Sequence, residues 1–188
     1  MEKRYEMRFT GSGGQGVILA SVIFAEAAVL SGVNAIQSQA YGPEARGGSC
    51  KAETILSKTD IWFSKVGVPQ FLLAMNQKSL EEYCANVNAD GLIIADDSLD
   101  IPENTGTKNI VALPIIATAK NVVGKVMTAN IVAVGAINEV LGLFDLDILK
   151  EAVHMHIPAG TEALNDKALE AGTEIAAAYA NKYAADIA

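Results

Sequence analysis

Along the chain, segments with the hydrophobic pattern of a strand alternate with segments that have the pattern of a helix, which predicts strands and helices in turn. Short apolar runs bounded by glycine, proline or acidic residues are typical of buried strands. Longer alanine-rich segments are apolar on most faces, which predicts well-buried helices. The predicted strands are 4–10, 33–38, 49–57, 71–75, 91–97 and 109–114. The predicted helices are 17–30, 76–87, 128–142, 145–153 and 165–184.

This order of elements predicts an α/β fold, a single Rossmann-like three-layer domain over residues 1–188 with a mostly parallel sheet covered by helices on both faces. Helices are expected on both faces because the strands are apolar on both sides. Asp145 and Asn165 precede the last two helices and are the predicted N-caps.

Composition and charge narrow the classes of function. The formal net charge is −8 and no basic patch is visible, so neither nucleic acid nor an anionic membrane is an expected partner. Only 19% of the residues are charged and 51% are hydrophobic, which favours a large protein–protein interface. The apolar run 131–137 is too short to span a bilayer, and the N-terminus lacks the apolar segment of a signal peptide. The expected location is the cytoplasm.

Cysteine, histidine and aspartate residues give no convincing catalytic or metal site. Cys50 and Cys84 are too few to hold an iron–sulfur cluster by themselves, and they lie in apolar patterns typical of core residues. His154 and His156 lack an assigned carboxylate or cysteine partner, which makes a metal site unfavoured. Asp96 ends a predicted strand, where a turn-forming role is favoured over a ligand contact. The sequence therefore predicts no catalytic residue and no metal ligand.

The stretch GSGGQG at 11–16 follows a predicted strand and opens a predicted helix. In that context a G-x-G-x-x-G pattern predicts a loop whose backbone and helix N-terminus can approach a phosphate. A dinucleotide site also needs an acidic residue after the second strand, where this chain has Gln37-Ser38-Gln39. We therefore favour a loop that contacts a phosphate or pyrophosphate in a way that differs from a dinucleotide site. Two alternatives stay open: a turn needed only for packing, and an NAD site. The predicted cofactor-binding residues of this loop are Gly11, Ser12, Gly13, Gly14, Gln15 and Gly16.

The stretch YGPEARGG at 41–48 follows the second predicted strand. One interpretation is a solvated turn. The other is a ligand loop, because such sheets bind ligands at the carboxyl ends of their strands, and we expect loops 11–16 and 41–48 to leave neighbouring strands at the same end. An arginine flanked by glycines can reach a carboxylate or a phosphate. The predicted site residues of this second loop are Tyr41, Glu44, Arg46, Gly47 and Gly48.

Several segments, taken in order, resemble the gamma subunit of 2-oxoacid:ferredoxin oxidoreductases: GSGGQGV, QAYGPEARGGSCKAETILS, LLAMNQ, TANIVAVGAINEVLG and IPAGTEALNDKALEAG. The resemblance covers nearly the whole chain. Tyr41 and the single Arg46 resemble the loop of the 2-oxoglutarate-specific members, whereas pyruvate and branched-chain members tend to carry a double arginine there. The alternatives are a gamma subunit for pyruvate or another 2-oxoacid, a stand-alone nucleotide-binding Rossmann-type enzyme, and an assembly module with no ligand of its own.

The resemblance implies a subunit of an enzyme of anaerobic metabolism that reversibly converts 2-oxoglutarate and coenzyme A into succinyl-CoA and carbon dioxide and reduces ferredoxin. It implies alpha, beta and ferredoxin-like delta subunits as partners and an external ferredoxin as electron acceptor. Thiamine diphosphate, Mg²⁺ and iron–sulfur clusters then belong to partner subunits, and the isolated chain is inactive. Coenzyme A is expected at a shared site, with its pyrophosphate at the glycine loop.

Overall fold

A single sheet lies at the centre of the fold in the computed structural model, which describes residues 4–41, 49–185 and 187. Its strands are β1 (Arg4–Ser12), β2 (Asn34–Tyr41), β3 (Ser49–Ser57), β4 (Phe71–Ala74), β5 (Leu92–Asp96) and β6 (Ile110–Leu113). Their order across the sheet is β2-β3-β1-β4-β5-β6. Strands β1, β4, β5 and β6 are mutually parallel, whereas β3 is antiparallel to both β1 and β2. All strands except β3 thus run in one direction, which confirms the predicted mostly parallel sheet.

Helices cover both faces of the sheet, as predicted. They are α1 (Val17–Leu30), α2 (Gln77–Tyr83), α3 (Ile115–Thr118), α4 (Ala129–Leu141), α5 (Leu146–His154) and α6 (Glu162–Ala176). Helix α1 packs on β1, β2 and β3 and is itself covered by α4 and α5, while α2 contacts β1 and β4. Leu72 and Leu73 of β4 show the two faces, because Leu73 belongs to the main core and Leu72 to a smaller core under α2. No helix in the described part of the chain is long and apolar enough to cross a membrane.

The main core lies between the sheet and helices α1 and α4. Met7 and Phe9 of β1 and Phe24 of α1 are fully buried, and the rings of Phe9 and Phe24 are 5.7 Å apart between centroids. Burial of such large side chains contributes about 1.5–3 kcal/mol each before entropic costs. Helix α4 is buried on nearly every face, as its sequence predicts.

Several element ends differ from the prediction. Helix α6 begins at Glu162 after Thr161, so Asn165 is not its N-cap; the Asn165 Nδ2 instead donates to the Thr161 carbonyl inside the first turn, 2.9 Å away. The helix ends at Ala176 and is followed by a 3-10 turn at Ala177–Tyr179, well short of the predicted end. Asp145 does precede α5 as predicted, although its side chain makes no capping hydrogen bond.

The segment between β6 and α4, for which the sequence predicts no element, is helical over most of its length. Helix α3 continues into a π-helical turn at Ala119–Val123, and a 3-10 turn at Val126–Thr128 leads into α4. These pieces are each shorter than two helical turns, and such short pieces give too few periodic positions to be recognised in a sequence.

Candidate functional site

The glycine loop leaves the carboxyl end of β1. The register pairs Ser12 with Ser49, and Tyr41 with Cys50 of the same strand β3. Loop 11–16 and the segment 42–48 therefore leave the sheet at the same end, as expected. The two loops do not leave neighbouring strands, however, because β3 lies between β1 and β2. The expectation of neighbouring strands was wrong because β2 and β3 form an antiparallel hairpin.

Two glycines of the loop adopt a backbone conformation that side-chain-bearing residues rarely take. The φ angles are +94° at Gly14 and +71° at Gly16, both in the left-handed region. Gly13 and Gly14 are exposed, and a β-carbon on either would meet nothing within 4 Å. The tip of the loop is thus open, with room for a ligand group against the backbone.

The side chain of Gln15 folds back into the loop. Its Oε1 accepts a hydrogen bond from the Ser12 N–H at 2.6 Å, and its Nε2 donates to the Met75 carbonyl at 2.8 Å. The Gln15 N–H also donates to the Ser12 carbonyl at 3.1 Å. Gln15 was predicted to contact a cofactor, and its carboxamide contacts the backbone of the protein on both sides.

Two asparagines from other elements also hold the loop. Asn76, the N-cap of α2, donates from Nδ2 to the Ser12 hydroxyl while its Oδ1 accepts from the Ser79 N–H at 2.8 Å. Asn130, at the start of α4, donates from Nδ2 to the Gly16 carbonyl at 3.4 Å. Sequence reasoning missed both residues. Asn76 follows a strand and precedes a helix, which is a recognisable N-cap signal; nothing in the sequence singles out Asn130.

The N-terminus of α1 is electrostatically suited to an anion. It has no side-chain cap, and no acidic residue lies in its first turn. In the described part of the chain, the N–H groups of Gly13 and Gly14 donate to no acceptor. The start of a helix carries a partial positive charge together with free N–H groups. The loop can therefore bind a phosphate-like group.

The described residues of β2 include no acidic side chain that could bind a ribose. Gln37, in the region where the acid of a dinucleotide site was sought in the sequence, lies in the middle of β2, and its Nε2 donates to the Ser21 hydroxyl of α1 at 3.0 Å. This contact fastens β2 to α1 and leaves no carboxylate at that position.

The second predicted loop falls largely outside the described residues. Tyr41 is the last residue of β2. Glu44, Arg46, Gly47 and Gly48 lie between the described ranges 4–41 and 49–185. Their assignment as site residues stays a prediction.

The two cysteines and Asp96 have structural positions. Cys50 and Cys84 are buried, as predicted for core residues, and burial raises the pKa of both thiols. Asp96 is buried at the end of β5, where its Oδ2 accepts from the Ile116 N–H at 2.7 Å and its Oδ1 accepts from Ser98. The turn-forming role expected for Asp96 is confirmed.

Each histidine pairs with a carboxylate that the sequence did not assign to it. The His154 Nε2 is 2.7 Å from Asp166 on α6, and the His156 Nε2 is 3.2 Å from Glu26 on α1. The two pairs are separate. Among the residues that the structure describes, no three histidine, cysteine or acidic side chains come together as metal ligands would.

A buried charged cluster on the α2 side of the sheet was also missed. The Arg8 Nε donates to Glu53 at 2.8 Å, the Lys51 Nζ is 3.3 Å from the same carboxylate oxygen, and the Arg8 guanidinium lies 5.3 Å from the ring centre of Tyr83. Arg8 and Glu53 are 3% and 7% exposed. Because both side chains are buried, this pair does not form a solvent-facing site.

Comparison with known proteins gives a consistent set of matches. The family model described as pyruvate ferredoxin/flavodoxin oxidoreductase matches residues 6–175. The 2-oxoglutarate synthase subunit KorC of Methanothermobacter marburgensis is 38% identical over 179 residues, which cover 92% of this chain and 96% of the relative.

Two solved structures share the architecture. The gamma subunit of a keto/oxoacid ferredoxin oxidoreductase from Geobacter sulfurreducens superimposes with a TM-score of 0.81 and 42% identity, covering 93% of this chain and 99% of that one. A 2-oxoglutarate:ferredoxin oxidoreductase from Magnetococcus marinus, solved with 2-oxoglutarate, coenzyme A and succinyl-CoA bound, gives a TM-score of 0.87 at 20% identity. That match covers 99% of this chain and 33% of the other, and at this identity it establishes a common fold only.

Proposed function

Because the chain belongs to the pyruvate ferredoxin/flavodoxin oxidoreductase family, we propose that it is the gamma subunit of a 2-oxoglutarate:ferredoxin oxidoreductase. The complex would convert 2-oxoglutarate and coenzyme A into succinyl-CoA and carbon dioxide, reversibly, with reduction of ferredoxin. Residues 1–188 would form one gamma-type domain that packs against the thiamine-binding subunits. Alpha, beta and ferredoxin-like delta subunits would complete the enzyme.

The choice of 2-oxoglutarate rests on one observation, the 38% identity to a 2-oxoglutarate synthase subunit over nearly the whole of both chains. A match over 92% of this chain and 96% of the relative supports an equivalent role for the two proteins. The single Arg46 in segment 41–48 supports the same choice. Its guanidinium would pair with the second carboxylate of 2-oxoglutarate or with an anionic group of coenzyme A.

The glycine loop fits the pyrophosphate of coenzyme A better than a dinucleotide. The N–H groups of Gly13 and Gly14 donate to no acceptor among the described residues, and α1 begins directly after Gly16 without an acidic residue in its first turn. A pyrophosphate needs free N–H groups at the start of a helix, but it does not need the acidic residue that binds the ribose in a dinucleotide site. Coenzyme A supplies the thiol that accepts the acyl group; this chain would hold and orient its phosphates. Tyr41, Glu44, Arg46, Gly47 and Gly48 would complete the shared site.

The oxidative chemistry would depend on thiamine diphosphate, Mg²⁺ and iron–sulfur clusters of the partner subunits. The described residues of this chain offer no cluster of metal ligands, and both of its cysteines are buried. Its own contribution would be binding, orientation and the exclusion of water from the subunit junction.

Co-purification and assay of the complex test the proposal. The tagged chain, expressed with its neighbouring subunits, should bring down thiamine-binding and iron–sulfur subunits. The assembled enzyme should reduce a viologen dye with 2-oxoglutarate and coenzyme A at a higher kcat/KM than with pyruvate or 2-oxoisovalerate. A preference for one of the other 2-oxoacids would replace the substrate assignment, and dye reduction by the isolated chain would contradict the role as a subunit.

Substitution of Arg46 tests the second loop. In the assembled complex, Arg46→Ala should raise the KM for coenzyme A or for 2-oxoglutarate about tenfold or more, as expected for loss of a charge-assisted hydrogen bond. Arg4→Ala is a matched control, because Arg4 lies at the opposite end of β1 and donates to the Phe63 carbonyl. Failure of the Arg46 variant to assemble would make that residue structural, and unchanged KM values in an assembled complex would remove the loop from the site.

A further inference from the structure

We propose that Gln15 is a positioning residue, which holds the glycine loop in its anion-binding conformation without contacting the ligand itself. The inference rests on the proposed coenzyme A site. The G-x-G-x-x-G pattern accepts any residue at its fifth position. In this chain that position is Gln15, and its side chain fixes the loop.

Both polar atoms of the Gln15 carboxamide already have partners in the protein. Oε1 accepts from the Ser12 N–H at 2.6 Å, and Nε2 donates to the Met75 carbonyl at 2.8 Å. Ser12 is the last residue of β1, and Met75 directly follows β4. Because these strands are parallel neighbours, Gln15 ties the loop to both strand ends at once.

The first glycine of the motif serves this carboxamide. A β-carbon on Gly11 would lie 2.7 Å from the Gln15 Oε1 and 3.0 Å from Cγ1 of Val17. Gly11 is buried within β1, where no phosphate could reach it. We therefore infer that Gly11 is a glycine because the Gln15 side chain needs its space, and not because a ligand approaches it.

The bond to Gln15 also decides which N–H groups can meet an anion. The Ser12 N–H is occupied by the carboxamide, whereas the N–H groups of Gly13 and Gly14 donate to no acceptor in the described ranges 4–41 and 49–185. The ligand should therefore contact the backbone at Gly13 and Gly14. A loop that is already fixed before the ligand arrives loses less entropy on binding.

Gln15→Met removes both hydrogen bonds at nearly constant volume. Gln37→Met is the matched control: Gln37 also binds another element through its carboxamide, by donating to Ser21 of α1, but it does not touch the loop. In the isolated chain, amide hydrogen exchange at Ser12 should accelerate about tenfold or more in the Gln15 variant and stay unchanged in the control. In the assembled complex, the Gln15 variant should raise the KM for coenzyme A about tenfold, with kcat and the KM for 2-oxoglutarate unchanged.

Unchanged exchange at Ser12 would overturn the proposal, and so would accelerated exchange with an unchanged KM for coenzyme A. The Gly13→Asp variant distinguishes failure of the positioning role of Gln15 from failure of the proposed function. Gly13 has room for a side chain, and a carboxylate there would repel a phosphate. If Gly13→Asp raises the KM for coenzyme A and Gln15→Met does not, Gln15 has no positioning role. If neither does, the loop is not a coenzyme A site.

Discussion

Asn130 of α4 lies directly against Gly16, the N-cap residue of α1. The Asn130 Nδ2 donates to the Gly16 carbonyl at 3.4 Å, and a β-carbon on Gly16 would lie only 2.6 Å from that nitrogen. The φ angle of Gly16 is +71°. Gly16 is thus constrained twice, by its backbone conformation and by its neighbour, and the starts of α1 and α4 are held together at the same end of the sheet.

Replacing Gly16 should therefore destabilise the fold as well as the loop. Gly16→Ala forces an alanine into the left-handed region and into contact with Asn130, and we expect a loss of about 1–3 kcal/mol in the free energy of unfolding. Urea denaturation followed by circular dichroism measures it. Gly13→Ala is the control, expected within about 0.5 kcal/mol of wild type because its β-carbon meets open space. Equal midpoints for the two variants would contradict this account of Gly16.

The contact between α4 and α6 depends on glycines in a different way. A β-carbon on Gly172 of α6 would lie 2.0 Å from the Val132 carbonyl, and one on Gly135 of α4 would lie 2.1 Å from the Leu169 carbonyl. We expect Gly172→Ala to cost about 1–3 kcal/mol of stability or more, because backbone atoms would have to separate. Gly67→Ala, where the added carbon meets nothing, should be near neutral. A Gly172 variant with wild-type stability in thermal or urea unfolding would show that the two helices can move apart freely.

The strands and the longest helices are predictable because each repeats a strong apolar pattern between clear breaks. The direction of β3 is not encoded in that pattern. The signal for it was the short connection 42–48, since parallel strands need a crossover of about a dozen residues or more. Applied to β2 and β3, that rule predicts the hairpin and shows that β3 separates β2 from β1.

The site was predictable in position but not in detail. The sequence places residues 11–16 between a strand and a helix; in the structure Gly11 and Ser12 still belong to β1, and residues 13–16 connect β1 to α1. The role of Gln15 depends on Met75, which is 60 residues away along the chain, and the role of Asn130 on Gly16, which is 114 residues away. Local patterns carry no information about such pairs. The Arg8 and Glu53 pair was missed because two charges within alternating strands suggest a solvent-facing side, whereas this side is covered.

Alkaline pH should weaken the fold through Tyr83. Burial raises the pKa of Tyr83 to about 12, and the neighbouring Glu82 carboxylate acts in the same direction. Between about pH 10 and pH 12 the unfolded chain loses this proton while the folded chain keeps it, so the free energy of unfolding falls as pH rises. Below about pH 10 the contribution is fully present.

Tyr83→Phe isolates this effect from other groups that titrate in the same range. The urea midpoint of the wild-type protein should fall more steeply between about pH 10 and pH 12 than that of the variant, since phenylalanine carries no proton to lose. In an alkaline titration followed by tyrosinate absorbance, the variant should show one fewer tyrosine with a raised pKa than the wild-type protein. Identical pH profiles for the two proteins would contradict the raised pKa.

The Arg8 and Glu53 pair supplies the last prediction. Both side chains are buried, and removing one partner of a buried ion pair leaves the other charge without compensation, at a cost of about 3–5 kcal/mol. The loss of stability should differ between the variant without Arg8 and the variant without Glu53. Without Arg8, the Glu53 carboxylate keeps Lys51, whose Nζ is 3.3 Å away. Without Glu53, the partners that the described residues leave to the Arg8 guanidinium are the Gly67 carbonyl and the ring of Tyr83.

Glu53→Met should therefore destabilise the protein more than Arg8→Met does. The double variant should be more stable than the sum of the single losses predicts, because it buries no unpaired charge. A double-mutant cycle by urea denaturation measures both differences. The Arg8 Nη1 has no hydrogen-bond partner within the described residues, so the pair already leaves one buried donor unsatisfied. For that reason the double variant should approach wild-type stability, and a double variant as unstable as Glu53→Met alone would show that lost packing, and not charge, dominates at this place in the sheet.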